Sequence, residues 1–322
     1  MLAKDEIIRL VNRAVFTDDL EFEEGKLSVF GVHIESGSPL INKSIAQSSD
    51  LNPNLSFRPI ALHRNDKTII VTRETVILDN DIVYFISTPE SIDHIIAICG
   101  KHSFDIVDVM IMGGSRIGIL TAQALENNFN VTLVERDKEK CEKIAGELKK
   151  TLVLNLDVRD VESLEEEGLA DMDAFIAVTG DSETNIMSSL VAKSHGVRKT
   201  IARVENIDYI HLSQAIGIDT LINKKIIAAS SIFKYVRKGE ITAIASLHGV
   251  DAEIIEFNVK ENSKITQGAL KEMSFPKTAT IAGVVRGNSG FIPFGNFQLI
   301  AGDRVVVFSL TESISKVEKY FQ

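Results

Sequence analysis

The rhythm of apolar and polar positions changes along this chain. Between Asp105 and Ile222, short apolar runs alternate with longer helical patterns. Asp108–Met112, Val131–Glu135, Leu152–Asn155, Ala174–Val178, Thr200–Val204 and Thr220–Ile222 read as strands. Ile119–Asn127, Asp137–Lys150, Val161–Gly168, Glu183–His195 and Ile207–Ile216 read as helices. Near-continuous apolar strands imply burial on both faces, and their alternation with helices predicts an α/β fold with a doubly wound, Rossmann-type parallel sheet.

Outside this stretch the pattern repeats. Ser38 and Leu40 fall on Ser263 and Ile265 at a shift of 225, whereas Arg64 and Asp81 fall on Arg286 and Asp303 at a shift of 222. One three-residue insertion near Asn52-Pro53-Asn54 reconciles the two shifts. Each copy reads as strand, short helix, two or three strands and a final helix (Ser91–Ile98 and Glu312–Phe321), so two small α+β domains are expected. A helix precedes each copy. Met1–Val15 carries the stripe Ile7, Leu10, Ala14 and Val15, and Lys224–Arg237 carries Ile226, Ala229, Phe233 and Val236. The expected order is a linking helix within 1–25, a small domain over 26–103, the Rossmann-type domain over 104–223, a linking helix over 224–238 and a second small domain over 239–322. The first half lacks the large domain that precedes the second linking helix, so the chain reads as a piece whose upstream lobe is missing.

Composition narrows the function classes. The 322 residues carry 45 acidic against 35 basic side chains, for a formal net charge of −10. That balance argues against binding a polyanion, which rests on neutralising phosphates with Lys and Arg. Apolar runs peak at pieces such as Ile95–Cys99, well short of the roughly 18 residues of a spanning helix. Cys99 and Cys141 are the only cysteines, without the spacing of a metal site, and a cytosolic protein is expected.

The loop after the first strand of the large domain carries the chemistry. In Gly113-Gly114-Ser115-Arg116-Ile117-Gly118, the glycines at the first and last positions match a dinucleotide fingerprint. Ser115 replaces the middle glycine; its side chain narrows the approach but could donate to a phosphate oxygen. The helix starting near Arg116 would aim its first amides at that phosphate. Glu135 ends the second strand, 17 residues beyond Gly118, where a carboxylate accepts ribose hydroxyls and repels a 2′-phosphate. Other chemistry-bearing residues have plainer readings. His195 is a helix C-terminal residue suited to the dipole, Glu162 and Glu165–Glu167 form a solvated face, and Asp181 and Glu183 open a helix as caps. His33, His63 and His94 lack ligand spacing.

The order of the glycine loop, Leu133-Val134-Glu135-Arg136-Asp137, Asn155-Leu156-Asp157 and Ala174-Phe175-Ile176-Ala177-Val178-Thr179-Gly180-Asp181-Ser182-Glu183-Thr184-Asn185 resembles the RCK (KTN) domain. The likeness is to the TrkA group of regulators of Trk/Ktr potassium transport, and it covers nearly the whole chain. It implies an RCK-N lobe flanked by two RCK-C lobes. It also implies that Gly113, Gly114, Ser115, Arg116, Ile117 and Gly118 hold nucleotide phosphates and that Glu135 holds the ribose. Arg136 and Asp157 would lie by the adenine, Thr179 and Gly180 at the ligand crevice, and Arg203 within reach of a phosphate. The implied ligand is NAD(H) or ATP/ADP, and the implied partner is a membrane potassium-transporter subunit. Such a protein would act as a cytoplasmic regulatory subunit, peripheral at the inner face of the membrane, gating its partner by lobe movement. An NAD-dependent oxidoreductase is the alternative, but His63, His94 and His248 show no acid–base pairing. A homodimer or higher oligomer through the RCK-N lobes is expected, with the Lys224–Arg237 helices crossing and the stripe Ile7, Leu10, Ala14 and Val15 seeking cover from a second chain.

Overall fold

A computed structural model describes residues 2–49, 56–65, 67–102, 104–206, 209, 212–213, 216–229, 241–246 and 251–322. The chain divides into two compact units. One comprises Met1–Ala14 with Phe104–Ala228, and the other Val15–Ser103 with Ala229–Gln322.

Helix α1 (Leu2–Asn12) opens the first unit. Of the expected stripe, Ile7, Leu10 and Ala14 are buried in the same core cluster as Val11, Val109, Leu125 and Val131, while Val15 packs against the cluster of Phe16 and Phe30. This corrects the expectation that the stripe seeks a second chain, because this chain's own domains cover it. The helix also stops at Asn12, and strand β1 (Asp19–Phe22) follows within the span expected to be only linking helix. Its alternation places Phe22 inward and Glu21 outward, too short a pattern to stand out.

The second unit holds both repeats. The first comprises β1, β2 (Leu27–His33), α2 (Ile45–Ser49), β3 (Phe57–Arg64), β4 (Lys67–Ile70), β5 (Ile82–Ser87) and α3 (Ile92–Ile98). Its sheet runs in the order β1-β2-β5-β3-β4.

Six parallel strands build the first unit: β6 (Asp108–Met112), β7 (Asn130–Glu135), β8 (Leu152–Asn155), β9 (Ala174–Ala177), β10 (Lys199–Arg203) and β11 (Thr220–Ile222). Their order, β11-β10-β9-β6-β7-β8, is that of a doubly wound Rossmann sheet. All described ladders within it are parallel. Helices α4 (Arg116–Leu125), α5 (Lys138–Glu147), α6 (Val161–Glu166) and α7 (Ser182–Ser194) connect strands. Each opens on an oxygen-bearing cap, Ser115, Asp137, Asp160 and Asp181, which accepts a first-turn amide and so satisfies one orphan donor. One face of the sheet packs Val109, Ile111 and Leu133 with α1 and α4; the other packs Met110, Met112 and Phe175 with Leu164. The expected helix Ile207–Ile216 is described only at residues 209, 212, 213 and 216, of which the first three are helical and Ile216 lies in a turn. Helix also covers 224–229, and the rest of the expected Lys224–Arg237 helix lies outside the described residues, as do Asn52–Asn54 and His248.

The second repeat supplies β12 (Ile241–Ser246), β13 (Ala252–Asn258), β14 (Ala279–Arg286), β15 (Ser289–Phe291), β16 (Arg304–Leu310) and a C-terminal helix (Ile314–Phe321). The order β12-β13-β16-β14-β15 reproduces that of the first sheet. Details repeat at the same shift of 222. The ladder breaks between Pro59 and Ala61 in one copy and between Ile281 and Gly283 in the other. Arg64 clamps Asp81 through Nε at 2.7 Å and Nη2 at 2.6 Å, and donates to the Val76 carbonyl at 2.7 Å. Arg286 clamps Asp303 at 2.7 and 2.8 Å and donates to the Gln298 carbonyl at 3.0 Å. Both carboxylates are fully buried. Asn80 and Gly302, one residue before each, hold φ of 65° and 88°, the left-handed region that Asn and Gly tolerate best.

Each small sheet buries two faces. One packs against helices of its own copy, such as Phe85 with Ile95 in the first and Phe257 with Phe321 in the second. The other face joins the two copies, with Leu27, Tyr84 and Ile86 in one cluster with Ala252, Ala282 and Phe308.

Candidate functional site

Strand order reverses between β6 and β9, and ligands of open α/β sheets bind at the carboxyl ends of strands beside such a switch point. A cavity of about 480 Å³ opens there. Gly113 and Ser115 form its floor, Glu135, Arg136 and Lys140 one side, and Asp157, Val158 and Arg159 continue it; Thr179, Gly180 and Asp181 face them.

The glycine loop is shaped by close contacts. Gly113 has φ of +109°, and a Cβ there would lie 3.0 Å from the Thr179 backbone. At Gly118 a Cβ would lie 2.1 Å from the Gly113 carbonyl oxygen, so only glycine lets α4 start this close to the loop. Gly114 fits under the carboxylate of Glu135. Ser115 needs no glycine, since its φ is −70°. Its hydroxyl donates to the Val178 carbonyl at 2.8 Å and accepts from the Gly118 amide at 3.3 Å. In this structure the hydroxyl that was expected to offer a phosphate a donor is engaged with the protein's own backbone. It caps α4 and ties the loop to the end of β9. The middle-glycine substitution is therefore a structural cap that leaves the floor of the cavity intact. A helix's first amides have no intrahelical acceptor, so those of α4 are the donors this arrangement offers an anion.

Glu135 is held by three donors. Oε2 accepts from the Gly114 amide at 2.9 Å and from Lys140 Nζ at 2.7 Å, and Oε1 accepts from the Asp137 amide at 3.1 Å. Burial pushes this carboxyl up, but the Lys140 ammonium and those amides outweigh it and hold it below the ordinary glutamate range. An ionised carboxylate has about four acceptor sites, which leaves room on Oε1 for one further hydroxyl. Asp157 is clamped by Arg159 at 3.0 and 2.6 Å, which brings it down to about 2. Lys140 and Arg159 were not singled out by the sequence, and Asp181 was read only as a helix cap. Lys140 looks like one of many charges on α5, and only its place one turn after Glu135-Arg136-Asp137 points back to the carboxylate.

Opposite, Asn185 organises the loop after β9. Its Oδ1 accepts from the Thr179 amide at 2.9 Å and from the Thr179 hydroxyl at 2.6 Å, while Nδ2 donates to the Arg203 carbonyl at 2.8 Å. Arg203 donates to the Thr179 carbonyl at 3.0 Å and pairs with Glu205. It is not among the residues that line the cavity, and its bonds to Thr179 and Glu205 brace the loop. Gly114, Arg116, Ile117 and Gly118 are likewise not among the lining residues.

The plainer readings also have structural counterparts. His195 closes α7, with Nδ1 against the Val191 carbonyl at 2.8 Å and Nε2 against Glu165, and the backbone carbonyl first and that carboxylate second raise its pKa. Cys141 is buried beneath Glu135, where desolvation pushes its thiol up. Among the described residues no group of His, Cys, Asp and Glu could hold a metal, and no helix is long and apolar enough to cross a membrane.

Comparison with known proteins decides the family. The TrkA-N domain family matches residues 109–224, and the TrkA-C domain family matches residues 29–100 and 254–322. The chain belongs to the TrkA family. It is 33% identical over 319 residues to the Trk system potassium uptake protein TrkA homolog 1 of Methanosarcina mazei, which covers 98% of this chain and 70% of that protein. It is 32% identical over 322 residues to the Trk system potassium uptake protein TrkA of Halomonas elongata, covering 99% and 70%. Among solved structures, the GsuK RCK domain is similar with a TM-score of 0.51 at 15% identity, covering 99% of this chain and 69% of that one. The GsuK channel bound to NAD gives 0.51 at 16%, covering 99% and 57%. At such identities these two structures establish the RCK fold alone. As a TrkA-family chain, this one has its TrkA-N match on the β6–β11 sheet and its TrkA-C matches on the two copies of the small domain.

Proposed function

We propose that the chain is the nucleotide-responsive regulatory part of a Trk/Ktr potassium transporter. The cavity at the switch point carries this reading, because glycine floor, helix start, strand-end carboxylate and bracing network converge on one space of nucleotide size. Gly113, Gly114, Ser115, Arg116, Ile117 and Gly118 supply the phosphate loop, through backbone rather than side chains. Glu135 takes a ribose hydroxyl on Oε1, Arg136 and Asp157 flank the base, and Thr179 and Gly180 close the crevice, with Arg203 as a brace. The ligand is NAD(H) or ATP/ADP. Glu135 disfavours a 2′-phosphate, although Lys140 on the same carboxylate softens the discrimination.

Regulation by a ligand requires different affinities for two conformations and no catalytic group. The lining residues include no His, Tyr or Cys, and Lys140 is committed to Glu135. That favours a sensor over an oxidoreductase, which needs an acid or base opposite the nicotinamide. The expected partner is a membrane subunit of Trk/Ktr type, reached from the cytoplasm. Self-association through the large domain is also expected. Met187 at 61% exposure and Leu212 at 60% leave apolar surface on and after α7, and these replace the α1 stripe as the surface for a second copy.

A thermal-shift series on the full chain with NAD, NADH, NADPH, ATP and ADP tests the reading. A ligand of the folded state at about 100 times its dissociation constant stabilises by roughly 2.7 kcal/mol. A clear rise with NAD(H) or an adenine nucleotide, smaller with NADPH, is expected. No shift with any of them would overturn the proposal. Sustained enzyme-dependent reduction of NAD by a defined metabolite would replace the sensor with the enzyme.

A further inference from the structure

The face that joins the two small domains is complementary in a particular way. Residues related by the repeat differ in size or charge at several of the close contacts between the copies. Leu27 corresponds to Ala252 at the shift of 225; Ala61 corresponds to Gly283, Thr68 to Gly290, and Arg58 to Thr280 at the shift of 222. Leu27 fills the room that two of those small residues leave. A Cβ at Gly283 would lie 2.6 Å from Leu27 Cδ1 and 2.7 Å from Ile86 Cδ1, and a Cβ at Gly290 would lie 2.5 Å from the Lys26 carbonyl oxygen.

Arg58 and Thr280 occupy equivalent positions and touch each other, the relation expected of residues that flank a two-fold axis between the copies. Arg58 Nη2 donates to Thr280 Oγ1 at 3.1 Å and to the Ile281 carbonyl, and Nη1 donates to the Pro293 carbonyl at 3.2 Å. The Ile281 carbonyl adjoins the break in the β14–β16 ladder. Among the described residues, the hydrogen-bond partners of this guanidinium all belong to the other copy, and its Nε is buried without one.

We propose that this face is a lock for unlike copies, which pairs the first small domain with the second and rejects pairing of like domains between chains. Two first domains would bring Arg58 against Arg58 across the axis, with like charges enclosed, and Leu27 against Ala61 and Thr68 where it now meets glycine. Two second domains would bring Thr280 against Thr280 and Ala252 against Gly283, leaving a void with no cation to bind the freed carbonyls. Small-to-large clashes and cavities both destabilise, so neither like pair matches the unlike one. Assembly of several chains is thereby left to surfaces outside this face.

Single substitutions reproduce each like pair within one full chain. Thr280→Arg gives the axis two arginines, Arg58→Thr gives it two threonines, and the exchange Arg58→Thr/Thr280→Arg restores one of each. Each single variant is expected to lower the melting temperature by at least about 4 °C, and the exchange to recover more than half of the summed loss. If Thr280→Arg yields no folded protein, a folded exchange variant supports the lock and an unfolded one contradicts it. Arg58→Thr as stable as wild type, or an exchange no better than the sum of the singles, would overturn it. Gly283→Ala, which makes the second copy resemble the first beneath Leu27, is expected to lower the melting temperature and Leu27→Ala to restore part of the loss in the double variant. No loss on Gly283→Ala would also count against the lock.

Discussion

The same substitution made at two helical glycines of the large domain should move stability in opposite directions. Gly118 lies in the first turn of α4, and Gly146 near the end of α5. Alanine gains about 1 kcal/mol over glycine inside a helix, and at Gly146 nothing lies within 4 Å of the added Cβ. Gly146→Ala should therefore stabilise by roughly 0.5–1 kcal/mol. At Gly118 the new Cβ would sit 2.1 Å from the Gly113 oxygen and 3.4 Å from Val178 Cγ2. Ordinary contact needs more than 1 Å of extra separation, and the near atom is backbone rather than a mobile side chain. Overpacking of this kind costs about 1–3 kcal/mol, with this site at or above the upper end, so a net loss of roughly 2 kcal/mol remains after the helix gain. Urea unfolding with unchanged m-values would read both changes. Because α4 must withdraw from the loop, Gly118→Ala should also abolish the thermal shift produced by nucleotide. Stability of Gly118→Ala at or above wild type would refute the steric reading of the loop.

Further consequences follow from the pairs and networks described above. Arg64→Ala and Arg286→Ala should cost similar amounts, roughly 3 kcal/mol each, since each leaves a fully buried aspartate uncompensated; costs differing by several-fold in urea unfolding would show that the repeat is not energetically symmetric. Asn185→Ala should cost about 2–3 kcal/mol and weaken nucleotide binding, because the Thr179 amide and hydroxyl lose their acceptor; unchanged calorimetric affinity would disconnect that loop from the site. The buried Glu126 carboxylate would be raised by desolvation, but the amides of Lys150, Lys149 and Thr151 and the Thr151 hydroxyl outweigh that and hold it low. A depressed folded value means that its contribution is complete above the unfolded value near pH 4.3 and is lost as pH falls through the folded one. Glu126→Gln should accordingly flatten the acid limb of stability between about pH 5 and 3, and an unchanged limb would count against it.

What could be read from the sequence follows the reach of each physical signal. The strands of the large domain were visible because both of their faces are buried, as at Met110 and Ile111, and their cap residues mark the helix starts. The repeat was visible through Arg64 with Asp81 and Arg286 with Asp303, whose spacing is preserved because each pair closes one loop. Strand β1 was not visible, since four residues carry too little alternation and its partner β2 comes only after a turn. The burial of the α1 stripe was not visible either. Periodicity shows that Ile7 and Leu10 share a face, but it does not say whose surface covers that face. In the candidate site, backbone requirements were legible and side-chain directions were not. Gly113 and Gly118 stand where the fingerprint puts them, whereas Ser115 turns to Val178 and Arg203 to Thr179 and Glu205. Each of those polar tips chose a nearby carbonyl or carboxylate over the cavity, a choice that sequence spacing does not encode.

The central claim is that the switch-point cavity holds an adenine nucleotide, and Gly180 allows it to be tested with little disturbance of the fold. Gly180 lines the cavity, and a Cβ there meets nothing within 4 Å. Gly180→Asp should therefore fold with a melting temperature close to that of wild type while placing a carboxylate where the ligand's phosphates would lie. Isothermal titration of both proteins with NAD and ADP is the direct measurement. Saturable binding of one nucleotide per wild-type chain is expected, with at least about a tenfold loss of affinity in Gly180→Asp, equivalent to roughly 1.4 kcal/mol. Equal affinity in the two proteins, or no binding by either, would contradict the claim.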